Sequence, residues 1–304
     1  MKRADLPNAL LTAALASAAL ASTPAARAAE PGPDTLIAHQ GASRDAPGNT
    51  LPAFRLAVER GFGFECDINL SRDGKVFTFH DDTLQRTTDG TDTRRVADLA
   101  WAEIESINAG GWGKWKGSHF EGTRPALLEE ALELARDGRW IYLDTKPRPE
   151  IVPLVARALA GQGRANPSNV LFIASSEEVC AAYKRELPEY KVFWISFTRG
   201  RVGQPHKPPA PPIAAAEVVE TLRRVGADGV DMQFDPAVHD EDYIRAVHDA
   251  GFEFHVWTVN DPELARLAFR RGVTSLTTDS PDACFGISCA PRTPIRLSPP
   301  HPRR

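Results

Sequence analysis

The chain has 304 residues, 42% of them apolar and 25% charged. This ordinary globular composition excludes a disordered, collagenous or disulfide-dense protein. The 36 basic and 40 acidic residues leave a net charge of −4, and no basic stripe offers itself to nucleic acid.

In chain order, the first feature is a leader. Lys2 and Arg3 make a positive start, Ala9–Ala21 is an Ala/Leu run, and Ala26-Arg27-Ala28 is a small-x-small site. Together they read as a secretory signal peptide over residues 1–28, with an apolar run too short to span a bilayer. Its removal takes away Lys2, Arg3, Arg27 and Asp5 and moves the net charge from −4 to −6. The expected mature chain has no transmembrane segment and lies outside the cytoplasm, periplasmic or secreted.

Short β-branched or aromatic runs then alternate with helical patterns. The runs Leu36–Gln40, Phe64–Leu70, Trp140–Thr145, Val170–Ser175, Lys191–Phe197, Gly229–Gln233, Glu253–Val259 and Ser275–Thr278 read as strands. The stretches Leu51–Arg60, Pro125–Asp137, Ile151–Ala160, Glu177–Leu187, Ala214–Val225, Asp240–Ala250 and Pro262–Arg270 read as helices. Strict βα alternation over eight strands predicts an α/β fold, a closed TIM (β/α)8 barrel. A doubly wound sheet is less suitable, and no GxGxxG follows the first strand.

Two interruptions follow strand C-termini, where a barrel carries its active site. Residues 71–124 form an insertion after the second strand. It opens with the turn signal Arg72-Asp73-Gly74-Lys75, after which Val76–His80 returns. Thr198–Pro212 holds five prolines. The predicted organisation is a leader over 1–28, a barrel over 29–283 with insertion 71–124, and a Pro/Arg-rich tail over 284–304. Of the four cysteines, Cys284 and Cys289 are close enough in the chain to pair in an oxidising compartment. Cys66 and Cys180 read as buried thiols.

Chemistry-bearing residues gather at strand ends. Residues two apart on a strand share a face, so Glu65 and Asp67 point together and Cys66 points away. Asp144 and Lys146 repeat that spacing on the neighbouring strand. An edge strand with a solvated acidic face has the same spacing, but the apolar flanks Phe64, Ile68, Leu70, Ile141 and Leu143 describe central strands. Buried carboxylates repel one another and call for a cation. Glu65, Asp67 and Asp144 offer three hard oxygen ligands suited to Ca²⁺ or Mg²⁺. His39 and His80 are candidates for general base and general acid. Lys146 adds positive charge that suits a phosphate-like substrate. These residues also fit a metallohydrolase of esters or amides.

The stretches AHQGASRDAPGNTLPAF, FECDINLSRDGKVFTFHDDTLQRTT, YLDTKP, WTVND and TTDSPD, in this order over residues 36–282, resemble the glycerophosphodiester phosphodiesterase family. The resemblance implies a TIM barrel with an insertion after the second strand. It implies metal ligation by Glu65, Asp67 and Asp144, acid–base work by His39 and His80, phosphate contact from Lys146 and a substrate-side Trp257. The implied reaction is metal-dependent hydrolysis of a small-molecule phosphodiester to sn-glycerol 3-phosphate and an alcohol. Three positions depart from the family pattern: Gln40 stands for Arg, Gly48 for Glu and Asp144 for Glu. The Asp144-x-Lys146 form is similar to the related sphingomyelinase D enzymes. It opens the alternative of phospholipase D-type cleavage of a lysolipid or sphingomyelin, with Trp101, Trp112 and Trp115 as candidate acyl contacts. Gln40 and Gly48 open a second alternative, a catalytically weakened phosphodiester-binding protein with Gln40 as a substrate contact. A purely structural envelope protein is the least suited to five retained site residues.

Overall fold

A computed structural model describes residues 32–136, 138–199 and 211–285. The expected leader 1–28, Cys289 and most of the tail lie outside the described residues.

Eight parallel strands close into a barrel: β1 (Leu36–Ala38), β2 (Gly63–Leu70), β4 (Ile141–Thr145), β5 (Val170–Ala174), β6 (Lys191–Ser196), β7 (Gly229–Gln233), β8 (Glu253–Trp257) and β9 (Ser275–Thr278). Each pairs with its neighbours in order, and β1 closes the ring on both β2 and β9. The short β3 (Val76–Thr78) returns antiparallel along the end of β2. The helices are α1 (Leu51–Glu59), α2 (Trp101–Ile104), α3 (Leu128–Leu132), α4 (Val152–Ala160), α5 (Glu177–Glu186), α6 (Ala215–Val225), α7 (Glu241–Asp249), α8 (Pro262–Arg270) and α9 (Pro281–Phe285). This is the TIM barrel that the strand count predicts.

Alternation along each strand divides its side chains. On β2, Phe64, Cys66 and Ile68 join the main apolar layer between sheet and helices. In that layer Phe172 stacks on Tyr183 of α5 with ring centres 3.9 Å apart. The other face of the strands fills the bore with Ile37, Tyr142, Leu171, Ile173 and Phe193. Helix starts are fixed by side-chain caps at Ser176, Asp240 and Asp261, each accepting a backbone N–H of the first turn.

The helix expected over Pro125–Asp137 is reduced to α3. Before it, Thr78 N donates to the Ala126 carbonyl at 2.8 Å and Leu127 bridges Phe77. Residues 126 and 127 are therefore committed to β3, and Glu130 draws the Leu127 N–H and Arg124 into the helix start. Two short helices, α2 and α9, go beyond the sequence reading. The insertion has its own small core of Phe77, Phe79, Leu84, Val96, Leu99, Ile104 and Ile107. Trp101, partly buried, packs on it, 5.8 Å from the Phe77 ring. Cys66, Cys180 and Cys284 are buried and form no disulfide among the described residues, and the expected Cys284–Cys289 pairing lies outside them. Cys284 Sγ lies against Thr278 and the Val259 carbonyl.

Candidate active site

The C-terminal mouth of the barrel holds a cavity of about 570 Å³. The register sets Asp67 of β2 directly beside Asp144 of β4, with Glu65 one inward position deeper. Ligand-type oxygens of these three residues lie within 4.8 Å of one another. Glu65 and Asp67 are buried at 3% and 2% exposure, which makes their charge costly without compensation.

The compensation within the protein is partial. Lys146 Nζ donates to Asp67 Oδ1 at 2.5 Å and to Asp144 Oδ2 at 3.4 Å. Asp67 Oδ2 also accepts from Asn49 Nδ2 at 2.7 Å and from Gln40 Nε2 at 2.9 Å. Burial opposes ionisation of Asp67, but Lys146, His80 and these hydrogen bonds hold it well below the usual carboxylate range. Burial and the Asp67 charge push Glu65 well up. Burial raises Asp144 to about 6, against the pull of Lys146. Two buried carboxyls and the partly buried Asp144 therefore share one ammonium, and a hard divalent cation fits this oxygen donor set.

The approach to the site is shaped by backbone. Gln40 and Asn49 both adopt left-handed conformations, with φ of 55° and 58°. The turn at Gln40 aims its N–H at Glu65 Oε2, 2.8 Å away. Gly41 follows at φ 77°, and a Cβ there would lie 2.6 Å from the Ala53 carbonyl carbon. Only glycine allows this loop to pass so close to α1. Gly48 faces Gln40: a Cβ on Gly48 would come within 2.7 Å of Gln40 Oε1. The two departures from the family pattern are thus in contact.

Each histidine is held by a carboxylate. His39 Nδ1 bonds Asp279 Oδ1 at 2.7 Å, and Asp279 is in turn held by Ser43 and Asn260. Desolvation opposes the imidazolium, but Asp279 and the charges of Glu65 and Asp67 outweigh it and raise His39 to about 9. His80 Nδ1 bonds Asp81 Oδ1 at 2.7 Å, which raises its pKa against a smaller effect of burial. Arg86 braces Asp81 from the far side at 2.6 Å. These pairs orient the rings, and Nε2 of each has no hydrogen-bond partner among the described residues.

Ile173, which stands beside Asp144 in the register, and Ile195, Phe197 and Trp257 supply the apolar lining of the cavity. Trp257 Nε1 donates to the Asp231 carbonyl at 3.1 Å, and Phe197 meets its ring edge-on at 5.1 Å. Asp231 also lines the cavity, with Oδ1 unpartnered among the described residues. Burial raises its carboxyl to about 8.

All eight residues singled out from sequence meet around this mouth. Sequence reasoning missed Asn49, Asp279 and Asp231. The first two lie inside the quoted motifs PGNT and TTDSPD, where an amide or acid near a strand end was the available signal. Asp231 had none, because a lone Asp in a strand does not show which face is closed.

The profile of the glycerophosphoryl diester phosphodiesterase family matches residues 39–283. A human glycerophosphodiester phosphodiesterase domain-containing protein 5 is 29% identical over 286 residues, which cover 87% of this chain and 44% of that protein. The chain thus spans less than half the length of that relative. A glycerophosphodiester phosphodiesterase of Caldanaerobacter subterraneus is 41% identical over 103 residues, 34% of this chain and 40% of that one. Among solved structures, a phosphodiesterase of Oleispira antarctica in complex with its product sn-glycerol-3-phosphate superposes with a TM-score of 0.70. It is 25% identical, and the match covers 83% of this chain and 95% of that one.

Proposed function

The chain belongs to the glycerophosphoryl diester phosphodiesterase family, and from that premise we propose that it hydrolyses glycerophosphodiesters to sn-glycerol 3-phosphate and an alcohol. One observation carries the reading: three carboxyl groups crowd one buried site with two carboxylate-held histidines beside it. Glu65, Asp67 and Asp144 would hold the cation, with Ca²⁺ and Mg²⁺ both suited to an all-oxygen set. Bound there, it supplies positive charge to a phosphoryl oxygen in the transition state.

The chain's own groups do the rest. One of His39 and His80 takes the proton of the nucleophile, either water or the neighbouring glycerol hydroxyl; it would act in its neutral form, which a cation held by Glu65 and Asp67 would favour by offsetting the carboxylates that raise its pKa. The other protonates the leaving alkoxide. Lys146, already within the acid cluster, offsets charge as the phosphorus becomes five-coordinate. Trp257 and Phe197 supply an apolar wall for the carbon skeleton. The N-terminal pattern supports export to the periplasm or medium as part of this proposal.

The test is a chelated protein reloaded with Mg²⁺ or Ca²⁺ and supplied with glycerophosphocholine or lysophosphatidylcholine. Metal-dependent release of sn-glycerol 3-phosphate from the first is expected. Inactivity on every glycerophosphodiester with metal restored overturns the reading. The second reading, phospholipase D-type cleavage, rests on the Asp144-x-Lys146 pair. Choline release from lysophosphatidylcholine alone would support it.

A further inference from the structure

A second cavity, of about 140 Å³, lies where the loop after β1 meets the insertion. Gln40 and Gly48 line one side, and Arg86, Trp112, Lys114 and Trp115 line the other. His80 lines this cavity and the larger one, so the two adjoin at that residue.

The two cavities have opposite charge. The larger is lined by six carboxyl groups, those of Glu65, Asp67, Asp81, Asp82, Asp144 and Asp231. None of the described residues lining the smaller one is acidic. Its two cations each lie on an indole. The Arg86 guanidinium is 4.6 Å from the Trp112 ring centre, and Lys114 Nζ is 4.4 Å from that of Trp115. Such contacts hold a long side chain in place at low cost. Arg86 is shared with Asp81. Lys114 forms no ion pair with a described residue, and its Nζ donates to the Arg44 carbonyl at 2.9 Å. The absent side chain at Gly48 lets the Gln40 side chain lie against the backbone there, its Oε1 2.7 Å from where a Cβ would stand.

We propose that this cavity receives the leaving alcohol of the substrate and selects one that carries a second anionic group, a carboxylate or a phosphate, with Lys114 as its partner. The inference rests on the hydrolytic reading above. The phosphodiester must sit at the acid cluster, and whatever extends past His80 enters a basic compartment. The compartment falls below the roughly 300–1,000 Å³ of a site for a drug-sized ligand, which suits a headgroup and not a whole lipid.

Matched substrates test it. Glycerophosphoserine differs from glycerophosphoethanolamine by one carboxylate, and glycerophosphoinositol 4-phosphate from glycerophosphoinositol by one phosphate. In at least one pair the anionic member should show a kcat/KM about fivefold higher, the upper end for a solvent-screened ion pair. Lys114→Gln should bring that ratio close to one through KM, and Lys114→Arg should keep it. The pair that responds identifies the anion. Ratios near one in both pairs for the parent enzyme, or a ratio unmoved by Lys114→Gln, overturn the subsite. If no diester is turned over, hydrolysis fails separately, and the same ratios are read as Kd by calorimetry on the metal-loaded protein.

Discussion

At the N-terminal end of the bore, Tyr142, His255, Ser275, Glu253 and Lys191 form one polar set; at the C-terminal end, Glu65, Asp67, Asp144 and Lys146 form another. The first is balanced. Tyr142 and His255 both bond Ser275, His255 Nε2 reaches Glu253 at 3.3 Å, and Lys191 pairs with Glu253 at 2.5 Å. Burial lowers the His255 pKa, so its ring stays neutral and one cation meets one anion. Such a set closes a barrel and asks for nothing more. The second places three carboxyls around one ammonium, with the His39 imidazolium beside them already paired to Asp279, and so leaves them short of positive charge. Burial of polar groups is common to both ends, so charge imbalance is what distinguishes a site from a plug.

Substitutions at defined positions test the difference between the two sets. The largest effect is expected at Asp67. Asp67→Asn should lower metal affinity and kcat/KM together, by more than the roughly 10–100-fold typical of groups that merely support a ligand. Full activity with unchanged chelator sensitivity would take Asp67 out of the site. His80→Ala should lose about 10²–10⁴-fold in kcat/KM with fold and metal retained. A loss under about tenfold against that range would leave His80 a structural hydrogen-bonder.

Gln40 and Gly48 come next, because they touch. Gly48→Glu alone should lower activity, since it adds an anion beside the acid cluster and crowds Gln40. With Gln40→Arg added, activity should rise about 10–100-fold above the parent, the worth of a charged hydrogen bond to phosphate. A double-mutant cycle should show coupling of about 0.5–3 kcal/mol. Strict additivity would make the two positions independent.

Asp231 lies between the two polar sets and gives a pH test. Burial raises its carboxyl to about 8, so the folded chain keeps a proton that the unfolded chain releases near the usual carboxylate pKa. Its contribution to stability is full below the unfolded pKa and is lost as pH rises through the folded one. Each pH unit in that window removes up to about 1.4 kcal/mol. Thermal unfolding of the metal-free protein between pH 5 and 8 should therefore be less pH-dependent in Asp231→Asn. Equal slopes would mean that Asp231 is ionised in the fold.

The smallest effect belongs to the balanced end. Lys191 and Glu253 are 40% and 32% exposed, so solvent screens their pair. Glu253→Gln should cost about 1 kcal/mol, seen in urea unfolding, and leave kcat/KM unchanged. A loss of activity comparable to that of His80→Ala would end the distinction between plug and site.

The sequence alone carried the barrel and the acid cluster, because both are periodic. The period-two spacing of Glu65 and Asp67 and of Asp144 and Lys146 puts side chains on one face whatever the partners are. Eight alternating βα units leave few closed arrangements. Helix extent was less legible: residues 126 and 127 follow a helical pattern and instead pair with β3, a contact made by a strand some 50 positions earlier in the chain. Asn49 bonds Asp67 only because its backbone turns left-handed, and Asp279 meets His39 only because β9 closes on β1. Asp231 became a buried acid, its Oδ1 without a partner among the described residues, when the bore shut around it. Periodicity decides which face a residue takes, whereas charge balance is summed over strands distant in sequence, and only closure of the barrel brings those charges to one point.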